Sequence, residues 1–354
     1  MKKELLSMAE SKALRGIAIL GIILHNYCHF LGFAVKENEY TFTASKPRQL
    51  LERMLTLDDN LFIHFMSFFG HYGVPVFLFI SGFGLVYKYE RSTPTRVRAL
   101  PFIGFHYAKL LRLMFLGYIG FAVVSYLHPH GYHGYTVGRV IAQLLMYINL
   151  MPDPDHIIKP GPYWYFGLML QLYIVYRLVL YRRSSAVTLA LIVLCTAVQA
   201  LFPPSVDEGG EILNRIRYNF IGGVLPFGAG ILYARHGRNL PLPINLTIVV
   251  VSAFIVFIGS FYFWSWLFVP LFIVTGAVAT MKLIPDKALA PCVWFGAISS
   301  ALFVMHPITR EIIIKMSYRG YIYTGLITYI VASILLAWLF KLMFRYIPKP
   351  KLKI

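Results

Sequence analysis

The sequence predicts an all-α protein, a polytopic transmembrane helix bundle of about ten spans, on three observations. Hydrophobic residues make up 58% and charged residues 14% of 354, with a mean hydropathy of +0.65, whereas soluble domains hold about 45–50% apolar residues. Apolar runs near the roughly 20 residues that cross a bilayer recur from Arg15 to Met343. Lys and Arg concentrate in alternate connections between them. No small-residue cleavage pattern follows Phe30, so the first run reads as a span rather than a removed leader.

In order, the runs are Arg15 to Phe33, Leu61 to Tyr87, His106 to Leu127, Gly161 to Tyr181, Ala186 to Phe202, Tyr218 to Tyr233, Pro243 to Ser260, Trp264 to Met281, Pro291 to Ile314 and Tyr321 to Met343. An eleventh, Val137 to Met151, is short and carries Gln143 and Asn149. If it does not cross, one side of the membrane receives 22 of the 33 Lys and Arg and only 4 acidic residues, so the whole net charge of +18 falls there. The positive-inside rule then places both termini in the cytoplasm. Residues 1–354 are expected to form a single membrane domain, with 137–151 a re-entrant or interfacial helix and 344–354 a short basic cytoplasmic tail.

The charge thus reads as topology and attraction to membrane lipid. No basic domain stands outside the membrane, so nucleic acid is not an expected partner. A sharper reading of Arg96, Arg98, Lys109 and Arg112 is that they gather a phosphorylated cytoplasmic ligand. Cys28, Cys195 and Cys292 all lie in apolar runs, where packing is the expected role. Nothing in the sequence bears on oligomeric state.

Ionisable groups inside a span are costly and mark functional candidates. The first run, LRGIAILGIILHNYCHF, carries Arg15, His25 and His29. At about 100° per residue the three fall on one side of a helix, with His25 roughly 15 Å and His29 roughly 21 Å along it from Arg15. They are expected to face inward. In the second run Ser81 and Gly82 combine a hydroxyl with a small residue that allows close helix approach. In the ninth, His306 directly precedes Pro307, which frees a backbone carbonyl near the ring.

Taken in order, LRGIAILGIILH, GVPVFLFISGF, the basic pair in KLLRL, GPYWYFGLMLQLY and ISSALFVMHP resemble the integral membrane acyltransferase-3 family. That resemblance implies a domain of ten membrane helices in a bacterial cytoplasmic (inner) membrane. It implies transfer of an acyl group, most often acetyl, from cytoplasmic acetyl-CoA or another acyl-CoA to a hydroxyl of an envelope polysaccharide or lipid-linked sugar, without a metal. By the same resemblance Arg15 and His25 match the family's first-span pair, His25 being the catalytic member. Ser81 and Gly82 match its SGF element, Lys109 and Arg112 its basic pair, and His306 its late-span histidine.

Two departures stand out. Nine residues separate Arg15 from His25 where the family usually has ten, and Asn26 fills the expected slot. Either a one-residue bulge corrects the register or His29 is the working base. Gln171 stands where the family commonly carries a glutamate, and it cannot titrate.

Acyl transfer to an alcohol needs a base near neutral pKa, which suits histidine. An oxyanion needs donors placed beforehand, for which Ser81, Trp164 and His306 are candidates. Lys109 and Arg112 suit the donor's phosphates. Trp164, Gln171 and His29 are candidate contacts to the acceptor. The loop histidines His128, His130 and His133 lack a convergent fourth ligand, so no metal is expected there. The segment MPDPDHIIKPGPYWY suits a sugar, a lipid headgroup or an interfacial aromatic belt. The rival reading is a transporter or flippase without covalent chemistry, but RGIAILGIILH has no second copy of the kind inverted-repeat transporters show.

Overall fold

The computed structural model describes residues 4–93, 95–128 and 131–352; His130 lies outside them. Every regular element among these residues is helical. The first eight helices are α1 (Met8–Cys28), α2 (Ser45–Leu55), α3 (Leu61–Phe69), α4 (Gly73–Val86), α5 (Ala99–Leu127), α6 (Val137–Leu144), α7 (Pro154–Ile157) and α8 (Trp164–Val175). The remainder are α9 (Ser185–Ala200), α10 (Glu211–Arg217), α11 (Phe220–His236), α12 (Leu242–Gly259), α13 (Phe263–Trp266), α14 (Val269–Leu283), α15 (Ala290–Tyr318) and α16 (Ile322–Phe344).

Six helical stretches among the described residues are long and apolar enough to cross a membrane: Leu61–Arg91, Ala99–Leu127, Gly161–Leu180, Leu242–Gly259, Asp286–Tyr318 and Ile322–Phe344. Two shorter apolar helices are Ser185–Ala200 and Val269–Leu283. Each of the ten expected runs falls on a helix. The eleventh holds a 3-10 turn, Ile148–Leu150, and α6, whose 8 residues extend about 12 Å, far short of a roughly 30 Å hydrocarbon core.

Contacts divide the chain into two compact units. The first holds Met1–Arg96, Val179–Arg217 and Ile221–Ala297. Its central helix α1 starts at a capping box: Ser7 N–H donates to Glu10 Oε2 at 2.7 Å and Glu10 N–H to Ser7 Oγ at 3.1 Å. Two orphan amide donors are thereby satisfied. The buried Glu10 carboxylate also takes Lys282 Nζ at 2.9 Å, so the end of α14 is tied to the start of α1. Helix α1 packs on α3 and α4, and α12 packs on α14. The approach of α1 to the turn after α3 is closed by Gly70, where a Cβ would lie 2.5 Å from Gly21 O and 2.7 Å from the His25 Cβ.

The second unit holds Val97–Leu178, Tyr218–Phe220 and Ile298–Ile354. Helix α5 packs on α8. The buried Tyr163 hydroxyl donates to Val304 O at 2.9 Å, and Thr309 and Ser333 share a 2.6 Å hydroxyl contact that joins α15 to α16. Arg112 donates to Phe344 O and Ile347 O, both at 2.7 Å, and its guanidinium lies 3.7 Å from the Phe344 ring centroid. Cationic donors on the last carbonyls of a helix complement its dipole, so Arg112 caps α16.

Candidate functional site

Among the described residues, a cluster of buried and half-buried titratable groups lies in the first unit, where α1 ends. Helix α1 stops at Cys28, and His29 is its C-cap residue. His25 is buried, and its Nδ1 lies 2.8 Å from Ser67 O on α3. A carbonyl only accepts, so Nδ1 carries a proton, and in the neutral imidazole Nε2 holds the lone pair. One turn on, His29 Nδ1 donates to Glu37 Oε2 at 2.7 Å. The His25 and His29 ring centroids are 5.3 Å apart, and those of His25 and His71 are 5.6 Å apart. One ring nitrogen from each of His25 and His29 and one Glu37 oxygen all lie within 4.8 Å of one another.

Glu37 arrives from the connection between α1 and α2, and the chain holds that connection at many points. Val35 is bracketed by α3: its N–H donates to His64 Nδ1 at 3.1 Å, and its carbonyl accepts from Ser67 Oγ at 2.7 Å. His64 Nε2 in turn meets Asp58 at 3.2 Å, which fixes its tautomer. Lys46 Nζ donates to Glu37 O at 2.7 Å, Trp266 Nε1 to Asn38 O at 2.8 Å, and Arg217 Nε to Glu39 O at 2.6 Å. Asn38 and Thr43 close the loop with two reciprocal bonds, of 3.2 and 3.0 Å. The half-buried Arg217 also donates to Gln199 at 2.9 Å and sits 4.2 Å from the Trp266 ring centroid.

The electrostatics follow from this packing. Burial alone would raise the Glu37 carboxyl, but His25, the hydrogen bond and charge of His29, and His71 together hold it well below the usual carboxylate range. Glu37 is therefore an anion at neutral pH. Burial pushes the Arg217 guanidinium down to about 10, which leaves it cationic under the loop. The cluster combines a base of fixed tautomer, a second imidazole bonded to a carboxylate, and a side open to solvent at His29, whose side chain is 34% exposed.

The other expected site residues divide into those this cluster gathers and those it does not. His25 and His29 come together as expected. Arg15 is exposed and lies about 15 Å from His25 along α1, so the inward line expected on this helix begins at His25. The Ser81 hydroxyl donates to Phe77 O at 2.8 Å, one turn back on its own helix. Gly82 serves helix approach, since a Cβ there would lie 2.1 Å from Phe227 O on α11. Lys109 is exposed, while Arg112 is engaged with the carbonyls that end α16.

In the second unit His306 is fully buried, with Nδ1 3.0 Å from Leu302 O. Trp164 opens α8, and its carbonyl accepts from Asn149 Nδ2 at 2.8 Å. Both ends of the Gln171 amide hold the start of α11: Nε2 donates to Asn219 at 2.7 Å, and Oε1 accepts the Phe220 N–H at 2.9 Å. Asn149 Nδ2 also donates to Tyr218 O at 2.7 Å. Gln171 therefore orders the chain rather than presenting a free amide.

Sequence reasoning does not reach Glu37, Ser67, His64, His71, Arg217 or Trp266. The readable signals are a carboxylate eight residues after His29 and two histidines, seven residues apart, flanking HFMSFFGH at the start of the second run. Neither signal says that the two segments meet.

A family model described as an acyltransferase domain, that of the acyltransferase-3 family, matches residues 9–342. No curated protein and no solved structure matches the chain. Nearly the whole chain is covered by one match, so the protein belongs to the acyltransferase-3 family and is a multi-pass membrane acyltransferase.

Proposed function

We propose that this acyltransferase moves an acetyl or other small acyl group from cytoplasmic acyl-CoA to a hydroxyl of an envelope polysaccharide or lipid-linked sugar, in a bacterial inner membrane. The observation that carries the reading is the His25 imidazole, held through Nδ1 by Ser67 O at 2.8 Å, with the Glu37 carboxylate within 4.8 Å of a ring nitrogen. Nε2 takes the acceptor hydroxyl proton as the alkoxide oxygen attacks the thioester carbonyl. The carbon–sulfur bond then breaks, and the sulfur leaves as the thiol with the proton that His25 Nε2 took, which restores the base. Glu37 stabilises the imidazolium that forms on His25 and orients His29 through their 2.7 Å bond. A carboxylate behind an imidazole plays the same part in hydrolytic triads.

Lys109 is the exposed cation proposed to meet the donor's phosphates, with Arg112 fixing the helix end beside it. By the family resemblance His306 and Trp164 are proposed as oxyanion donors, and Arg15 as a cation at the donor side. Family membership favours this reading over a transporter or flippase without covalent chemistry.

A second reading rests on one observation: the carboxylate is bonded to His29, which would make His29 the base. The two separate in a turnover assay with labelled acyl donor. His25→Ala is expected to lose 10²–10⁴-fold in rate, roughly what a lost general base costs, and His29→Ala less. Full turnover in His25→Ala with the loss in His29→Ala would transfer the role.

A further inference from the structure

The cluster around Glu37 has the composition of a metal site as well as that of a base. Two imidazoles and a carboxylate supply borderline and hard ligand atoms, a set that suits zinc-type divalent ions, often with a fourth position left open. Ligand atoms at about 2.1 Å from a tetrahedral ion stand about 3.4 Å apart. The three groups here lie within 4.8 Å, so closing on an ion asks for movements of about an ångström, within the reach of side-chain rotation.

The surroundings match too. Ligating histidines usually donate their other ring N–H to a carbonyl or carboxylate, and His25 Nδ1 already does so to Ser67 O at 2.8 Å. The main chain of Glu37 is anchored by Lys46, whose Nζ donates to Glu37 O at 2.7 Å. An ion can enter past His29, which is half-buried. To ligate through Nδ1, His29 moves its proton to Nε2 and gives up the hydrogen bond to Glu37.

We propose that His25, His29 and Glu37 bind one zinc-type divalent cation, and that the bound cation suspends acyl transfer by occupying the lone pairs the reaction uses. The second half rests on the function proposed above; the first does not. Metal and acceptor hydroxyl then compete for the same nitrogen, and the enzyme is active only with the site empty.

The test uses the full chain purified in detergent and stripped with a chelator, with Zn2+ as the probe and neither donor nor acceptor present. Competition against a chromogenic chelator is expected to give one zinc per chain. Glu37→Gln and His29→Gln are each expected to weaken it by about a hundredfold, at the upper end of what even an outer-shell loss costs. His133→Ala, in the connection between α5 and α6, is expected to leave it unchanged. Co2+ provides a readout on the unaltered protein: visible bands of four- or five-coordinate intensity, abolished by added Zn2+.

Absence of stoichiometric zinc, affinity unchanged in both ligand variants, or a weak six-coordinate cobalt spectrum would each overturn the site. Turnover is expected to fall in step with zinc occupancy and return with chelator; full turnover at full occupancy overturns the inhibitory half. A chain that binds zinc as described but never transfers acyl groups sinks the proposed function and leaves the metal site standing.

Discussion

Two buried polar clusters, one around His25 in the first unit and one around Asn149 in the second, are made from different side chains, and the difference separates a poised site from a braced one. Around His25 the buried groups are imidazoles and a carboxylate, each with a protonation state that can change. Around Asn149 they are amides: Asn149 binds Trp164 O and Tyr218 O, and Gln171 binds Asn219 and the Phe220 amide. Amides offer donors and acceptors in fixed positions and do not titrate. They satisfy chain ends at low dielectric, where an unpaired group is costly. The histidine cluster instead keeps a nitrogen lone pair at hand, and the fixing is done one layer out by Ser67, His64, Lys46, Arg217 and Trp266.

The largest effect should come from the anion that defines the first region. Glu37→Gln keeps the shape and removes the charge, and kcat for acyl transfer should fall about a hundredfold, the lower end of what general-base machinery contributes. Thermal stability should change little by comparison. A variant with normal kcat would make Glu37 another bracing residue and erase the contrast between the two regions.

Asn149→Ala probes the other side of the comparison. It withdraws the donors from two carbonyls on different segments, at a cost of about 1–3 kcal/mol for each buried group left short of a partner. The unfolding temperature in detergent should drop clearly, while turnover per folded molecule stays near that of the parent. A selective loss of turnover without loss of stability would mean that the amide network works on substrate.

The smallest effect sharpens the boundary. Ser81 lies in the SGF element, but its hydroxyl is bonded back to Phe77 O at 2.8 Å. Ser81→Ala should therefore cost less than about threefold in kcat, where losing an oxyanion donor typically costs about 10²–10³-fold. A loss of that larger size would show that Ser81 leaves its helical partner during the reaction.

Much of the molecule was legible beforehand because the signals are local. A span announces itself through the summed hydropathy of consecutive residues, so all ten expected runs land on helices although their ends move by a few residues. The capping and turn chemistry that sets those ends is weaker than the apolar pattern. His25 and His29 were legible as a pair because four residues make one helical turn. Arg15 was not placed by the same rule, because periodicity gives an angle around α1 and says nothing of which neighbours cover each angle.

Composition and order of motifs by themselves determined the class of protein, the helical register that puts His25 near His29, and the family. Tertiary structure alone decided what stands against those rings. Glu37 reaches His29 only because Val35 is bracketed by His64 and Ser67, and because Arg217 and Trp266, more than 170 positions further along the chain, hold Glu39 and Asn38. Likewise, the guanidinium of Arg112 is committed to carbonyls 232 and 235 residues away. Hydropathy and periodicity are sums over neighbours in sequence. A buried carboxylate is stabilised by partners that loop closure brings from elsewhere, and no local window contains them.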